Sequence, residues 1–298
     1  PKNHPLVVGW MGMHGDSWVN QAIQKADLLI ACGMRFDDRV TGNLKTYSPN
    51  SKKIHIEIDP AEINKNVKVD LPIHGDLNEI LSQVLPNLDQ QDHHLWLNQI
   101  DKWRSESTGR DIIHQDPETL MGAHVIRKIW EGTNGNALIV TDVGQHQMLE
   151  AQYYEHNEPR TLITSGGLGT MGFSLPAGIG ASFYEKDREI WVIVGDGSFQ
   201  MTMMELGTAV QENRNINIAI INNGYLGMVR QWQEMFYDAR YSETPIMSPD
   251  YIKLAEAYGL EAFRVDNLDD VIPTMRKAQK QQGPSLIEFV VEKQDMVY

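Results

Sequence analysis

The amino-acid sequence predicts an α/β protein made of two doubly wound parallel-sheet domains. Three observations carry this expectation. Short apolar runs closed by Gly, Pro or Asp alternate with helix-length amphipathic segments. The length, 298 residues, accommodates two ordinary domains. Between two such alternating regions lies a stretch, residues 86–117, rich in Pro, Asn, Gln, Asp and His. With 41% apolar and 22% charged residues the chain is ordinarily globular, outside the disordered and low-complexity ranges.

Each element follows from local pattern. In residues 1–85 a helix is expected between Asp16 and Ala26, with Asp16 or Ser17 as its cap. Leu28-Leu29-Ile30-Ala31-Cys32, ended by Gly33, reads as a buried strand, and Ile54–Ile58, ended by Asp59-Pro60, as a second. A helix from Leu77 to Leu85 stops before Pro86. Residues 86–117 read as a linker carrying one helix, marked by Leu95, Trp96, Ile100 and Trp103. In residues 118–298 the expected strands are Ala137–Thr141, Thr161–Thr164, Ile190–Val194, Ile216–Ile221, Ala262–Val265 and Ser285–Val291, with helical patterns between most of them. That alternation implies a parallel sheet covered on both faces.

Charge and composition exclude whole classes of function. With 26 Lys+Arg against 40 Asp+Glu, a net charge of -14, and no basic cluster longer than three residues, no nucleic-acid platform is expected. The apolar runs are too short to span a bilayer, and no signal peptide opens the chain. The one cysteine, Cys32, excludes a disulfide framework and a Cys-rich zinc site; set in an apolar strand, it reads as a buried, inert thiol. His14 and His146 have no second His or Cys at ligand spacing, so neither reads as a metal ligand. His93, His94 and His114 read as solvated. The chain opens on Pro1 and closes on Tyr298 directly after a strand-like run, which reads as a piece of a longer protein.

The strongest chemical signal is Gly195-Asp196-Gly197-Ser198, directly after the run Ile190–Val194. In open parallel sheets, ligands bind at the carboxyl ends of strands. The next expected strand ends in Asn222-Asn223-Gly224, so Asp196 and Asn223 would project from neighbouring strand ends. One carboxylate with one amide oxygen suits Mg²⁺ that also binds a phosphate. Alone, Gly-Asp-Gly is equally a simple turn; the Asn pair at the next strand end selects the metal reading. A competing signal is Gly167-x-Gly169-x-x-Gly172, formally a dinucleotide fingerprint between a strand and a helix. The first region has its own candidate site: Arg35, Asp37, Asp38 and Arg39 follow one strand, and Glu57-Ile58-Asp59 ends the next. Acids there can hold a ribose and arginines a phosphate; the alternative for Arg35 and Asp38 is a solvated ion pair.

The Gly-Asp-Gly and Asn-Asn pairing resembles the thiamine-diphosphate signature. With Val143-Gly144-Gln145-His146-Gln147, Ser165 to Phe173, Leu226-Gly227-Met228-Val229-Arg230-Gln231-Trp232, Gly12-Met13-His14-Gly15 and Gly33 to Gly42, nearly the whole chain resembles the catalytic large subunit of acetolactate synthase. The resemblance implies the later part of that family's FAD-binding middle domain and most of its diphosphate-binding domain, without its N-terminal pyrimidine-binding domain. It implies Mg²⁺ held by Asp196, Asn223 and the backbone carbonyl of Tyr225, where some members carry Glu. It implies thiamine diphosphate at Gln145, His146, Gly169, Met171, Gly195, Gly197 and Ser198, with Met171 as the apolar prop that bends the cofactor. Arg39, Met228 and Trp232 would border the substrate channel. A structural, not redox-active, FAD would lie at His14, Gly33, Arg35, Asp37, Arg39, Glu57, Ile58 and Asp76. The family's essential glutamate belongs to the pyrimidine domain, and no residue of this chain takes that role.

The activity so implied is decarboxylation of pyruvate and transfer of the two-carbon unit to pyruvate or 2-ketobutyrate, in branched-chain amino-acid synthesis. The implied assembly is a homodimer or homotetramer with a small regulatory subunit, cytoplasmic in a bacterium or in a plastid or mitochondrion in a eukaryote. Rival readings are another thiamine-diphosphate enzyme (a 2-ketoacid oxidase, a decarboxylase or glyoxylate carboligase) and a cofactor-binding fragment without turnover. The Arg35–Gly42 and Gly227–Trp232 motifs favour acetolactate synthase over the first.

Overall fold

The computed structural model describes residues 4–108, 111–114, 118–293 and 297. The expected end of the linker, at 115–117, lies outside them. The chain divides into two compact units, Gly9–His114 and the described part of Gln115–Tyr298 with residues 4–8.

In the first unit, α1 (Ser17–Lys25) starts after Asp16 and buries Val19 and Ala22. Then follow β1 (Leu28–Cys32), α2 (Asp38–Thr41), β2 (Lys52–Glu57), β3 (Leu71–His74), α3 (Leu77–Val84) and α4 (His94–Thr108). The strands form a parallel sheet in the order β1-β2-β3. The amphipathic stretch after Pro86 is α4; it packs on α1, and its Trp96 and Trp103 rings meet edge to face at 5.7 Å. The expectation of a fully buried first strand fails. Leu29 and Ala31 turn inward, whereas Leu28 and Ile30 are 48% and 52% exposed, and Cys32 is exposed as well. Successive side chains of a strand point to opposite faces, and only one face here is packed. The reading of Cys32 as a buried thiol is therefore corrected.

The second unit runs α5 (Gly122–Thr133), β4 (Leu138–Thr141), α6 (Gln145–Tyr153), β5 (Leu162–Thr164), α7 (Ser174–Tyr184), β6 (Ile190–Gly195), α8 (Asp196–Thr202), α9 (Leu206–Gln211), β7 (Asn217–Asn222), α10 (Gly227–Phe236), α11 (Tyr251–Tyr258), β8 (Glu261–Val265), α12 (Val271–Ala278) and β9 (Ser285–Val290). Its six strands are all parallel, in the order β5-β4-β6-β7-β9-β8. The expected α/β class with parallel sheets is what the chain forms. β4, β6 and β7 are buried almost throughout, which is why they read as continuous apolar runs rather than alternating ones. Leu138, Val140, Val192 and Ile218 pack with Leu175 and Ile179 of α7, Ala209 of α9 and Ala255 of α11. α5 packs on α6 and α12, α6 on β4 and β6, and α12 on β8 and β9. Asp250 caps α11 by accepting from the N–H groups of Ile252 and Lys253, and Gly259 ends it in the left-handed conformation.

The tightest helix-to-sheet approach is at Gly178 of α7, where an added Cβ would stand 2.4 Å from Val192 Cγ2 of β6. Helix propensity alone favours Ala over Gly by about 1 kcal/mol. Overpacking against a fully buried valine outweighs it, so Gly178→Ala should destabilise the second unit by about 1–3 kcal/mol. Chemical denaturation checks this; a variant more stable than the parent would contradict the packing described.

Candidate active site

The chain passes from β4 to β5 on one side and then to β6 on the other, so the order of the sheet reverses between β4 and β6. The loops leaving those two strands diverge, and a crevice remains at their carboxyl ends, where such sheets take ligands. A cavity of about 130 Å³ occupies this place. Of the residues expected to hold thiamine diphosphate and its metal, Gln145, His146, Met171, Gly195, Asp196, Gly197, Ser198, Asn223 and Tyr225 all line it, as does Met228.

Asp196 follows β6 and is 2% exposed. Its Oδ1 accepts the N–H of Gly197 at 3.0 Å and its Oδ2 that of Gly224 at 2.9 Å. Burial pushes its carboxyl up to about 6 against these hydrogen bonds, and no ion pair reaches it among the described residues. Asn223, after β7, accepts the N–H of Tyr225 at Oδ1, 3.0 Å, which leaves that oxygen a second lone pair. Its Nδ2 donates to Gln145 Oε1 at 3.2 Å. Gln145 Nε2 in turn donates to Gln231 Oε1 at 2.8 Å, and Gln231 Nε2 to the carbonyl of Val297. This amide chain fixes which way each side chain is turned. Gly227 lies beneath it, where a Cβ would come within 2.0 Å of Gln145 Oε1 and 2.7 Å of Asn223 Nδ2.

His146 forms the opposite wall. Its ring lies against Gly195, where a Cβ would stand 2.8 Å from Nδ1. The imidazole Nε2 is buried and has no hydrogen-bond partner among the described residues. Burial pushes the imidazole down to about 4, with the charge of Asp142 pulling the other way. Among the described residues no three His, Cys, Asp or Glu side chains gather into a metal site. The donors here are one carboxylate, one amide and backbone carbonyls, a hard oxygen set. A buried carboxylate without a cation, an unpartnered imidazole nitrogen and glycine-thin walls together fit a group that brings a divalent cation and its own polar atoms.

Asp142, after β4, went unnoticed in the sequence reading. Its Oδ1 accepts the N–H groups of Val143 and Gly172 at 2.8 and 2.9 Å, and its Oδ2 that of Ser174 at 2.8 Å. The start of α7 is thereby occupied by a carboxylate. A dinucleotide phosphate at the Gly167–Gly172 loop would meet that charge, and β5 is the edge strand, away from the reversal. Of the expected residues in this unit, two lie off the cavity. Gly169 is exposed, and Trp232 packs edge to face on Phe236 at 6.1 Å. Along α10 Trp232 lies four residues, about 6 Å of helix rise, beyond Met228.

In the first unit, Gly33 follows β1 and donates to the carbonyl of Ile56 in β2 at 2.9 Å, joining the two strand ends. Arg35 pairs with Asp37 at 3.3 Å and Arg39 with Asp38 at 3.2 Å, rather than Arg35 with Asp38. Asp37 also caps α2 through the N–H of Arg39. Glu57 Oε1 accepts the N–H groups of Ile58 and Asp59, Asp76 caps α3, Ile58 is exposed, and His14 closes a 3₁₀ turn, Gly12–His14.

Comparison with known proteins meets this geometry. Residues 142–289 match the family described as "Thiamine pyrophosphate enzyme, C-terminal TPP binding domain", and residues 1–84 its "central domain". The chain is 42% identical to the "Acetolactate synthase large subunit" of Corynebacterium glutamicum, with 100% of this chain and 49% of that protein aligned. It is 40% identical to the "Acetolactate synthase isozyme 3 large subunit" of Escherichia coli, over 97% and 52%. It is 38% identical to the "Probable acetolactate synthase large subunit" of Methanococcus aeolicus, over 98% and 51%. The chain thus spans about half the length of the curated relatives it matches.

The environment of His146 sets a pH dependence. In the ligand-free protein its imidazole should titrate near pH 4, as followed by NMR. The folded value lies below the unfolded one of 6.5, so this group's contribution to stability is lost as pH falls from about 6.5 towards 4, at up to about 1.4 kcal/mol per pH unit. His146→Gln should flatten that limb of the stability profile. Titration of His146 near 6.5 would contradict its burial.

Proposed function

The chain belongs to the thiamine pyrophosphate enzymes, as a homologue of acetolactate synthase large subunits, and from that premise we propose that it is the diphosphate-binding half of an acetolactate synthase. The observation that carries the reading is the meeting of Asp196 and Asn223 with His146 at the reversal of the second sheet. Asp196 and Asn223 would hold Mg²⁺ through side-chain oxygens, with the backbone carbonyl of Tyr225. Gly195, Gly197 and Ser198 would receive the diphosphate, and Gln145 and His146 would contact it from the far side. Met171 would prop the thiamine rings, with Gly169 beside them. When bound, the cofactor supplies a carbanion equivalent that lets pyruvate lose carbon dioxide and pass on its two-carbon unit.

The protein's part is to bind, orient and exclude water. A neutral His146 can hydrogen-bond a phosphate or amine without adding charge, and the apolar side chains of Leu149, Met171, Leu226 and Val291 dry the pocket. The substrates proposed are pyruvate and, as alternative acceptor, 2-ketobutyrate, with Met228 and Trp232 bordering their approach. FAD would lie along the ends of β1 and β2, near His14, Gly33, Arg35, Asp37, Arg39, Glu57, Ile58 and Asp76, in a structural role. The partners proposed are further copies of the chain, as a dimer or tetramer, and a small regulatory subunit.

In the full-length protein, pyruvate with thiamine diphosphate and Mg²⁺ should yield 2-acetolactate; acetaldehyde, an oxidised acetyl product, or no condensation would favour the decarboxylase, oxidase or non-catalytic reading. Asp196→Ala should abolish Mg²⁺-dependent binding of thiamine diphosphate, measured by equilibrium dialysis, because the diphosphate loses the bridge that neutralises it. Unchanged binding in that variant would remove Asp196 from the site.

A further inference from the structure

Strand β9 reads Ser285-Leu286-Ile287-Glu288-Phe289-Val290, one carboxylate in an apolar run. Glu288 is 3% exposed and lies between β7 and β8. An ionised carboxylate so placed is costly unless it is fully bonded, and it is. Its Oε2 accepts Arg264 Nε of β8 at 2.7 Å, and its Oε1 accepts Asn222 Nδ2 of β7 at 2.7 Å. Arg264 reaches on to Asp250 Oδ1, the cap of α11, at 3.2 Å.

The consequence lies at Asn222. A carboxylate only accepts hydrogen bonds, so it obliges the amide of Asn222 to turn its nitrogen inward and its oxygen towards the loop. That oxygen accepts the N–H of Gly224 at 3.1 Å, the same N–H that Asp196 Oδ2 accepts at 2.9 Å. The hydroxyl of Ser248 stands 3.4 Å from both oxygens. One donor is thus shared between Asp196 and an amide whose orientation is set from within the sheet.

We propose that Glu288 is a positioning residue for the metal loop: through Asn222 it holds Gly224, and with it the relative placement of Asp196, Asn223 and Tyr225. The inference rests on the reading of Asp196 and Asn223 as metal ligands. A purely structural role, a buried carboxylate tied to the half-exposed Arg264 and so joining β8 to β9, would predict loss of stability without selective loss of metal affinity. The melting temperature and the Mg²⁺ requirement, recorded side by side, separate the two roles.

The test titrates Mg²⁺ into the full-length protein at fixed thiamine diphosphate, following binding by equilibrium dialysis, with the ligand-free melting temperature recorded beside it. Arg264→Leu/Glu288→Leu, where it remains folded, should need about tenfold more Mg²⁺ for half-saturation, the scale of loss when groups that orient metal ligands are removed. Glu288→Gln, which lets the amide of Asn222 turn over, should shift the half-saturation in the same direction and carries the test if the double variant does not fold. Parent-like Mg²⁺ half-saturation in a folded variant would overturn the proposal while leaving the metal site intact. Absence of any Mg²⁺-dependent binding in the parent would overturn the metal reading itself, and this proposal with it.

Discussion

Two parallel strands whose following loops leave in opposite directions cannot close over the gap between their ends, and the site in the second unit is arranged around the gap this leaves at β4 and β6. Everything that faces it must be satisfied from the sides. On the β4 side the chain does so itself, since Asp142 spends its carboxylate on Val143, Gly172 and Ser174. On the β6 side it does not. Among the described residues Asp196 has backbone donors and the Ser248 hydroxyl but no ion-pair partner, and His146 has a nitrogen with no partner. The contrast between two aspartates at neighbouring strand ends is what makes one of them structural and the other available.

The supports of the site come from two directions and meet at the loop after β7. From within the sheet, Arg264 and Glu288 set the amide of Asn222. From α10, Gln231 sets Gln145, which sets Asn223. Side chains that must present particular oxygens are turned by partners that offer no alternative orientation, the arrangement expected where a ligand set is prepared in advance of its ligand. Gly227 is part of the same design, because any side chain there would collide with the amides it underlies.

Much of this was legible in the sequence, and what was not has identifiable physical causes. The buried strands of the second unit announced themselves as apolar runs, and Asp196 and Asn223 as polar residues directly after two of them. β3 went unread because Leu71–His74 is four residues long and contains Pro72, as only an edge strand tolerates. Cys32 was misjudged because an apolar run does not say whether both faces of its sheet are covered. Asp142 could have been found: Thr141-Asp142-Val143-Gly144 after β4 echoes Val194-Gly195-Asp196-Gly197 after β6. So could Glu288, the one charge in the run Ser285–Val291. Gln231 could not, since its importance rests on Gln145 and Val297, 86 and 66 residues away.

We propose that the crevice at the ends of β4, β6 and β7 takes a divalent cation between Asp196 and Asn223. Crystals of the full-length protein grown with thiamine diphosphate and Mn²⁺ would test it by anomalous scattering. The account predicts a peak bounded by side-chain oxygens of Asp196 and Asn223, with the diphosphate against Gly195, Gly197 and Ser198. A metal bound elsewhere, or a diphosphate seated at the start of α7 in place of the Asp142 carboxylate, would contradict it.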